Sequence, residues 1–188
     1  MANKKHSIRR RKVLKAVGGG IVLGVVGASS ASARPNELSH QLNGVRAATR
    51  KYKEIETARD DDYFDVSPYV PEMGFHFANE LPPFGTERED PPILVYFTNG
   101  SYNPDPFEEH DPERDDDLIL AGVEYAVPGD QTADPPDIFN DEDSPRNLKM
   151  TEEEGWEFNA EQGFTALHAW IHRGNPAGVF HPTNPTID

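Results

Sequence analysis

Three polar side chains stand in stretches too apolar to hold them without a partner. Glu124 lies in the segment Leu118–Val127, where Leu120, Gly122, Glu124 and Ala126 alternate with Ile119, Ala121, Val123, Tyr125 and Val127. Both faces of such a strand are apolar, the pattern of a central strand covered on both sides. A carboxylate there is destabilising by several kcal/mol unless it is paired, protonated or bound to a cation. His168 has the same problem: Phe164, Ala166, His168 and Trp170 share one face of Phe164–Ile171, and Thr165, Leu167, Ala169 and Ile171 the other. His76 is flanked by Phe75 and Phe77 in an aromatic turn that opens at Met73-Gly74. Two histidines and a carboxylate form a common ligand set for zinc, non-haem iron or manganese, with positions left open for water or substrate. A buried glutamate that accepts a hydrogen bond from a neutral histidine satisfies the same groups with no metal. The spacing does not decide between the two, since no compact motif such as H-E-x-x-H joins the three residues. Around them, Trp170, Tyr125 and Phe75 are expected to wall a pocket. His172, four residues after His168, is expected on the same face, at the rim.

Other routes to catalysis find less support. The chain has no cysteine, so there is neither a thiol nucleophile nor a disulfide framework. Beyond residue 33 the serines are Ser39, Ser67, Ser101 and Ser144, none in a G-x-S-x-G setting, and no glycine-rich phosphate loop occurs. The acidic run Asp111–Asp117 lacks the glycine turn and closing glutamate of a calcium-binding EF-hand and reads as a solvated loop.

The elements that must position these residues are legible in outline. From Glu37 to about Asp60, Leu38, Leu42, Val45, Tyr52 and Ile55 recur at helical spacing, with Asn36 placed to cap the first turn after Pro35, which predicts one amphipathic helix. Pro68, Pro71, Pro82, Pro83, Pro91 and Pro92 then rule out long helices. Ile93–Thr98, Leu118–Val127 and Phe164–Ile171 are the expected strands, separated by acidic, proline-containing loops at Asn103–Asp117 and Gly129–Asn147. Asn99-Gly100-Ser101 is both a glycan acceptor sequon and a hairpin signal, and the tight turn is the simpler reading. The expected fold is α+β, one N-terminal amphipathic helix on a small, mainly antiparallel sheet with long acidic loops. Residues 34–62 carry the helix and 63–188 the β-rich part of a single globular domain.

Residues 1–33 have the composition of an export signal: seven basic and no acidic residues, an apolar run from Ala16 to Ala28, and the small residues Ala31-Ser32-Ala33. Arg10-Arg11-Lys12-Val13-Leu14-Lys15 resembles the twin-arginine motif, which implies the twin-arginine translocase as a partner during export. The apolar run is shorter than the ~20 residues a helix needs to span a bilayer, so no integral span is expected after cleavage behind Ala33. Cleavage there leaves 11 basic against 33 acidic residues, a net charge of −22. Ordinary small domains carry a magnitude of about 2–8. Such a surface repels itself in dilute buffer and is screened in concentrated salt, where the Debye length falls to ~3 Å. It also argues against nucleic-acid and anionic-membrane partners, because no basic patch of useful size remains.

Gly74-x-His76, Val123-Glu124-Tyr125, Leu167-His168-x-Trp170, Asn175-Pro176-x-Gly178-x-Phe180 and Asn184-Pro185 together resemble a group of uncharacterised exported proteins of haloarchaea and actinobacteria, over roughly Tyr63 to the C-terminus. The resemblance implies that His76, Glu124 and His168 belong to a shared pattern, whereas His110, His172 and His181 do not, and it implies no particular reaction or substrate. Two functions follow as expectations. One is an exported, salt-adapted protein, extracellular or at the cell surface, that binds a divalent metal through His76, Glu124 and His168. The other is a non-catalytic surface or binding protein whose buried His/Glu groups only lock the core.

Two outcomes follow from the N-terminus and the charge. Replacing Arg10 and Arg11 by lysine retains the precursor in the cytoplasm, because ammonium groups do not reproduce paired guanidinium geometry; secretion of the double variant at normal level removes the twin-arginine assignment. Lowering potassium chloride from molar to about 0.1 M lowers the melting temperature of the mature chain, as the Debye length grows to ~10 Å; a melting temperature indifferent to salt contradicts the salt-adapted reading.

Overall fold

A computed structural model describes residues 37–100, 102–139 and 155–187. The signal sequence at 1–33, the cleavage point before Arg34, the Asn36 cap, Ser101 of the sequon and the 140–147 part of the second acidic loop lie outside the described residues. The fold is α+β. Among the described residues, helix α1 (Glu37–Thr49), a 3₁₀ turn (Arg50–Lys53) and helix α2 (Ile55–Asp60) precede six strands: β1 (Phe64–Asp65), β2 (Phe75–Ala78), β3 (Ile93–Thr98), β4 (Leu118–Pro128), β5 (Glu157–Asn159) and β6 (Phe164–Ala169). The strands form one sheet in the order β1-β2-β3-β4-β6-β5, and every neighbouring pair is antiparallel.

The expected single helix is interrupted at Arg50–Glu54. Glu54 is extended, at φ −92° and ψ 107°, and the Tyr52 carbonyl accepts a hydrogen bond from the Tyr96 hydroxyl at 2.7 Å, so it faces the sheet. Tertiary hydrogen bonding to β3 thus overrides helical propensity. The segments on either side bury Val45, Tyr52, Ile55 and Ala58 against one face of the sheet, whose contribution is Phe75, Phe77, Leu94, Tyr96, Val123, Tyr125, Leu167 and Ala169. Most of these side chains are fully enclosed, and each such aromatic or aliphatic group contributes about 1.5–3 kcal/mol.

The three expected strands are found within two residues of their predicted ends. Met73–Phe77, expected as a turn, instead leads into β2, and β1 and β5 were too short to carry a periodic pattern. Gly74 makes the entry to β2 possible. It has φ +82°, and a Cβ there would stand 2.1 Å from the Tyr96 carbonyl oxygen, so only glycine lets the chain turn against β3 and launch His76. Asn99-Gly100 is not a two-residue hairpin turn: it opens the long connection to β4, and the Asn99 amide donates to the Asp117 carbonyl. Part of that connection is ordered by charge. Pro112–Asp117 forms a 3₁₀ turn, and Asp115 accepts from Arg59 at 2.7 and 3.0 Å and lies 2.6 Å from the buried His110, so it is not simply solvated.

An irregularity in β4 changes the expected faces. Val95 pairs with Gly122 but Tyr96 pairs with Leu120, so one extra residue of β4, Ala121, is accommodated as a bulge. Leu118 and Leu120 therefore join the helix-side core with Val123 and Tyr125, while Ala121 packs with Val95, Phe97, Trp170 and Ile187 on the opposite side. Leu120 does not share a face with Glu124. Gly122 sits where a Cβ would stand 2.6 Å from the Ala169 carbonyl oxygen, which lets β6 approach β4 closely beside the bulge.

Candidate metal centre

The sheet face opposite the helices carries the three polar residues. Glu124 and His168 are direct cross-strand partners on β4 and β6, and Glu124 faces Ile93 of β3 on its other side. His76 is on β2, opposite Val95, and is therefore separated from β4 by one strand. Two strand spacings amount to about 10 Å, so the His76 and Glu124 side chains lean towards each other over β3 to meet. They do meet: His76 Nε2 lies 3.5 Å and His168 Nε2 3.8 Å from the same oxygen, Oε2 of Glu124. One ligand atom from each of the three residues falls within 4.8 Å of the others, and all three residues are buried. The convergence expected from the sequence is present.

Each imidazole is held from outside the cluster. His76 Nδ1 is 3.0 Å from the hydroxyl of Ser67, which also accepts the His76 backbone N–H at 3.2 Å. The ring of His168 stacks on the Trp170 indole, at 5.6 Å between centroids and 12° between planes, and Trp170 Nε1 in turn donates to the His181 carbonyl at 2.6 Å. His76 meets His168 edge-on, at 5.8 Å. Nothing in the sequence marked Ser67, nine residues ahead of His76 across a proline-containing loop; its role rests on the β1–β2 pairing that brings Val66 to the His76 carbonyl.

Electrostatics keep the cluster uncharged in the absence of a cation. Burial pushes the Glu124 carboxyl up to about 8 and the His76 imidazole down to about 4. Burial, with the neighbouring His76 as a smaller influence, lowers His168 to about 3. Among the described residues no counter-ion offsets the loss of water, since no Lys or Arg lines this space.

The cluster forms the floor of a cavity of about 560 Å³. Its walls are mainly apolar, with Val66, Val70, Ile93, Phe158, Phe164 and Ala166 prominent, and exposed Leu81, Glu157, Asn159 and Gln162 stand at the mouth. The expected walls are corrected. Tyr125 and Phe75 belong to the helix-side core, and Trp170 supports His168 from the side away from the opening. His172 is not at the rim. The strand ends at Ala169, the His172 amide turns to the Ala121 carbonyl, and Nε2 of its ring lies 2.8 Å from Thr49 Oγ1 on α1, so it faces the helices. His110 lies between the rings of Phe75 and Phe77 beside Asp115, and His181 bonds within its own loop, so neither reaches the cavity.

No protein-family model, curated protein or solved structure matches this chain.

The cluster makes a pH prediction for protein stripped of divalent ions by a chelator. Glu124 has a folded pKa near 8 against an ordinary value of 4.5, so the stability of its protonated form is complete below about 4.5 and is lost as pH rises to about 8. The histidines have the opposite sign: their neutral forms are favoured on folding, and stability is lost as pH falls below 6.5. Unfolded histidines still release protons just above pH 6.5, so the glutamate is isolated by comparison with Glu124→Gln, which shares the histidine contribution. Between pH 6.5 and 8, unfolding by denaturant should show the wild type losing about 2 kcal/mol relative to Glu124→Gln. A difference between the two proteins that is the same at both pH values contradicts a buried, uncompensated Glu124.

Proposed function

We propose that this chain is an exported, salt-adapted protein that binds one divalent transition metal through His76, Glu124 and His168 and presents it to the cavity above. The observation that carries this reading is the spacing of the three inward atoms. At 3.5 and 3.8 Å the histidine nitrogens are too far from Glu124 for a good N–H···O bond, and among the described residues His168 Nε2 is buried with no hydrogen-bond partner. Direct Glu–His hydrogen bonding, the metal-free arrangement, is therefore poorly served. An ion at about 2.0–2.2 Å from each ligand holds tetrahedral neighbours about 3.4 Å apart, close to the two histidine-to-Glu124 distances. Ser67 suits the same role. When its oxygen accepts Nδ1–H, the His76 tautomer leaves Nε2 free to ligate, the usual arrangement behind a metal-bound histidine.

The ligand set is suited to zinc, iron or manganese, and three protein ligands leave the side facing the cavity for water or substrate. Export rests on the twin-arginine-like stretch at residues 10–15 and supports placement at the cell surface or outside the cell. Among the described residues no helix is long and apolar enough to cross a membrane.

Protein dialysed against zinc or manganese and then freed of excess should retain close to one ion per chain by elemental analysis, and His168→Ala should retain none. Added metal should raise the stability of wild type by about 2.7 kcal/mol at a concentration one hundred times Kd. It should leave His168→Ala unchanged. Wild-type protein that neither retains nor responds to zinc or manganese returns the cluster to a structural role.

A further inference from the structure

We infer that the cavity over His76, Glu124 and His168 takes a small, mostly apolar molecule with a single anionic oxygen head, of the class of aromatic or branched-chain monocarboxylates, bound head-down on the ion. The inference rests on the metal reading above and adds the chemistry of the ligand. Charge at the floor sets the head. A divalent ion held by one carboxylate and two neutral imidazoles keeps one net positive charge in a site closed to water on the protein side, and a buried charge requires a partner. One anionic oxygen supplies it. Ser67 adds a donor at the same level: its oxygen is engaged by the His76 backbone N–H and by Nδ1–H, so its own hydrogen is directed elsewhere, and Ser67 lines the cavity.

The walls set the body. Val66, Val70, Ile93, Phe158, Phe164 and Ala166 offer apolar surface, and a volume of about 560 Å³ falls in the range of small-molecule sites, far larger than an ion and its waters need. Among the described residues a second anionic group finds no partner there. Neither Lys nor Arg is among the lining residues, and Glu157 at the mouth repels it. Dicarboxylates and phosphate esters are thereby disfavoured, a selectivity by absence of a cation.

The test uses the chain loaded with cobalt(II), whose visible bands report a change of ligand at the ion. Acetate, benzoate and succinate are titrated in the same molar salt. Benzoate should bind at least about ten-fold more tightly than acetate through burial of its ring, and succinate no more tightly than acetate. Phe164→Lys, which places a cation on the wall, should keep the cobalt spectrum, weaken benzoate and strengthen succinate. Cobalt bound with equal affinity for benzoate and acetate, or with a preference for succinate in wild type, overturns this inference and leaves the metal reading standing. A wild-type chain that takes up no cobalt overturns the metal reading and this one with it.

Discussion

The structure is organised around a carboxylate that has no water. Glu124 occupies the middle of the longest strand, its neighbours on both sides are apolar, and the sheet places His168 directly across from it. A buried acid of this kind requires either a proton or a cation, and each has consequences for what surrounds it. With a proton, the two histidines are neutral spectators at more than hydrogen-bonding distance. With a cation, the same distances become ligand spacings, and the supports of Ser67 and Trp170 become the means of holding two rings in one geometry.

Two irregularities of backbone make this arrangement possible. The bulge at Ala121 shifts the alternation of β4, so that Leu118 and Leu120 serve the helix-side core while Glu124, four residues beyond Leu120, faces the other way. Without it, strict alternation would put Leu120 beside Glu124, and the apolar start of β4 would lose its place beneath the helices. Gly74 does for β2 what the bulge does for β4: by tolerating the carbonyl of Tyr96 at a distance no side chain permits, it lets a short strand start close enough for His76 to lean over β3.

How much of this the sequence disclosed follows from the range of the forces involved. Glu124 and His168 were legible because a polar residue in a doubly apolar strand is a local contradiction, visible without any partner. His76 was legible for the same reason, although its segment reads as a turn and is a strand; four residues between glycine and proline-rich loops give too short a period to identify. The helix break at Arg50–Glu54 was not legible, because it depends on a hydroxyl of Tyr96 more than forty positions away. His172 was misplaced because strand parity lapses where β6 ends at Ala169, whereas Tyr125 and Phe75 are the immediate chain neighbours of Glu124 and His76, and alternation along β4 and β2 turns them to the helix-side core. Ser67, Val66 and Val70 come from the loop between β1 and β2, and Phe158 from a strand of three residues, neither of which leaves a mark in periodicity.

The order of the strands has a consequence for timing. The sheet grows outward from β3 and β4 to β2 on one side, all within the first 128 residues, but the other neighbour of β4 is β6, supplied by residues 164–169 of 188. His76 and Glu124 can come together on a partial sheet. His168 arrives only after the distant ends of the chain between β4 and β6 have been brought together and β6 has docked, a late step in any order of assembly that forms local contacts before distant ones. On the proposed metal reading, His168 would act as a gate on loading: the compartment that witnesses the docking of β6 would be the one whose pool of ions the finished site samples.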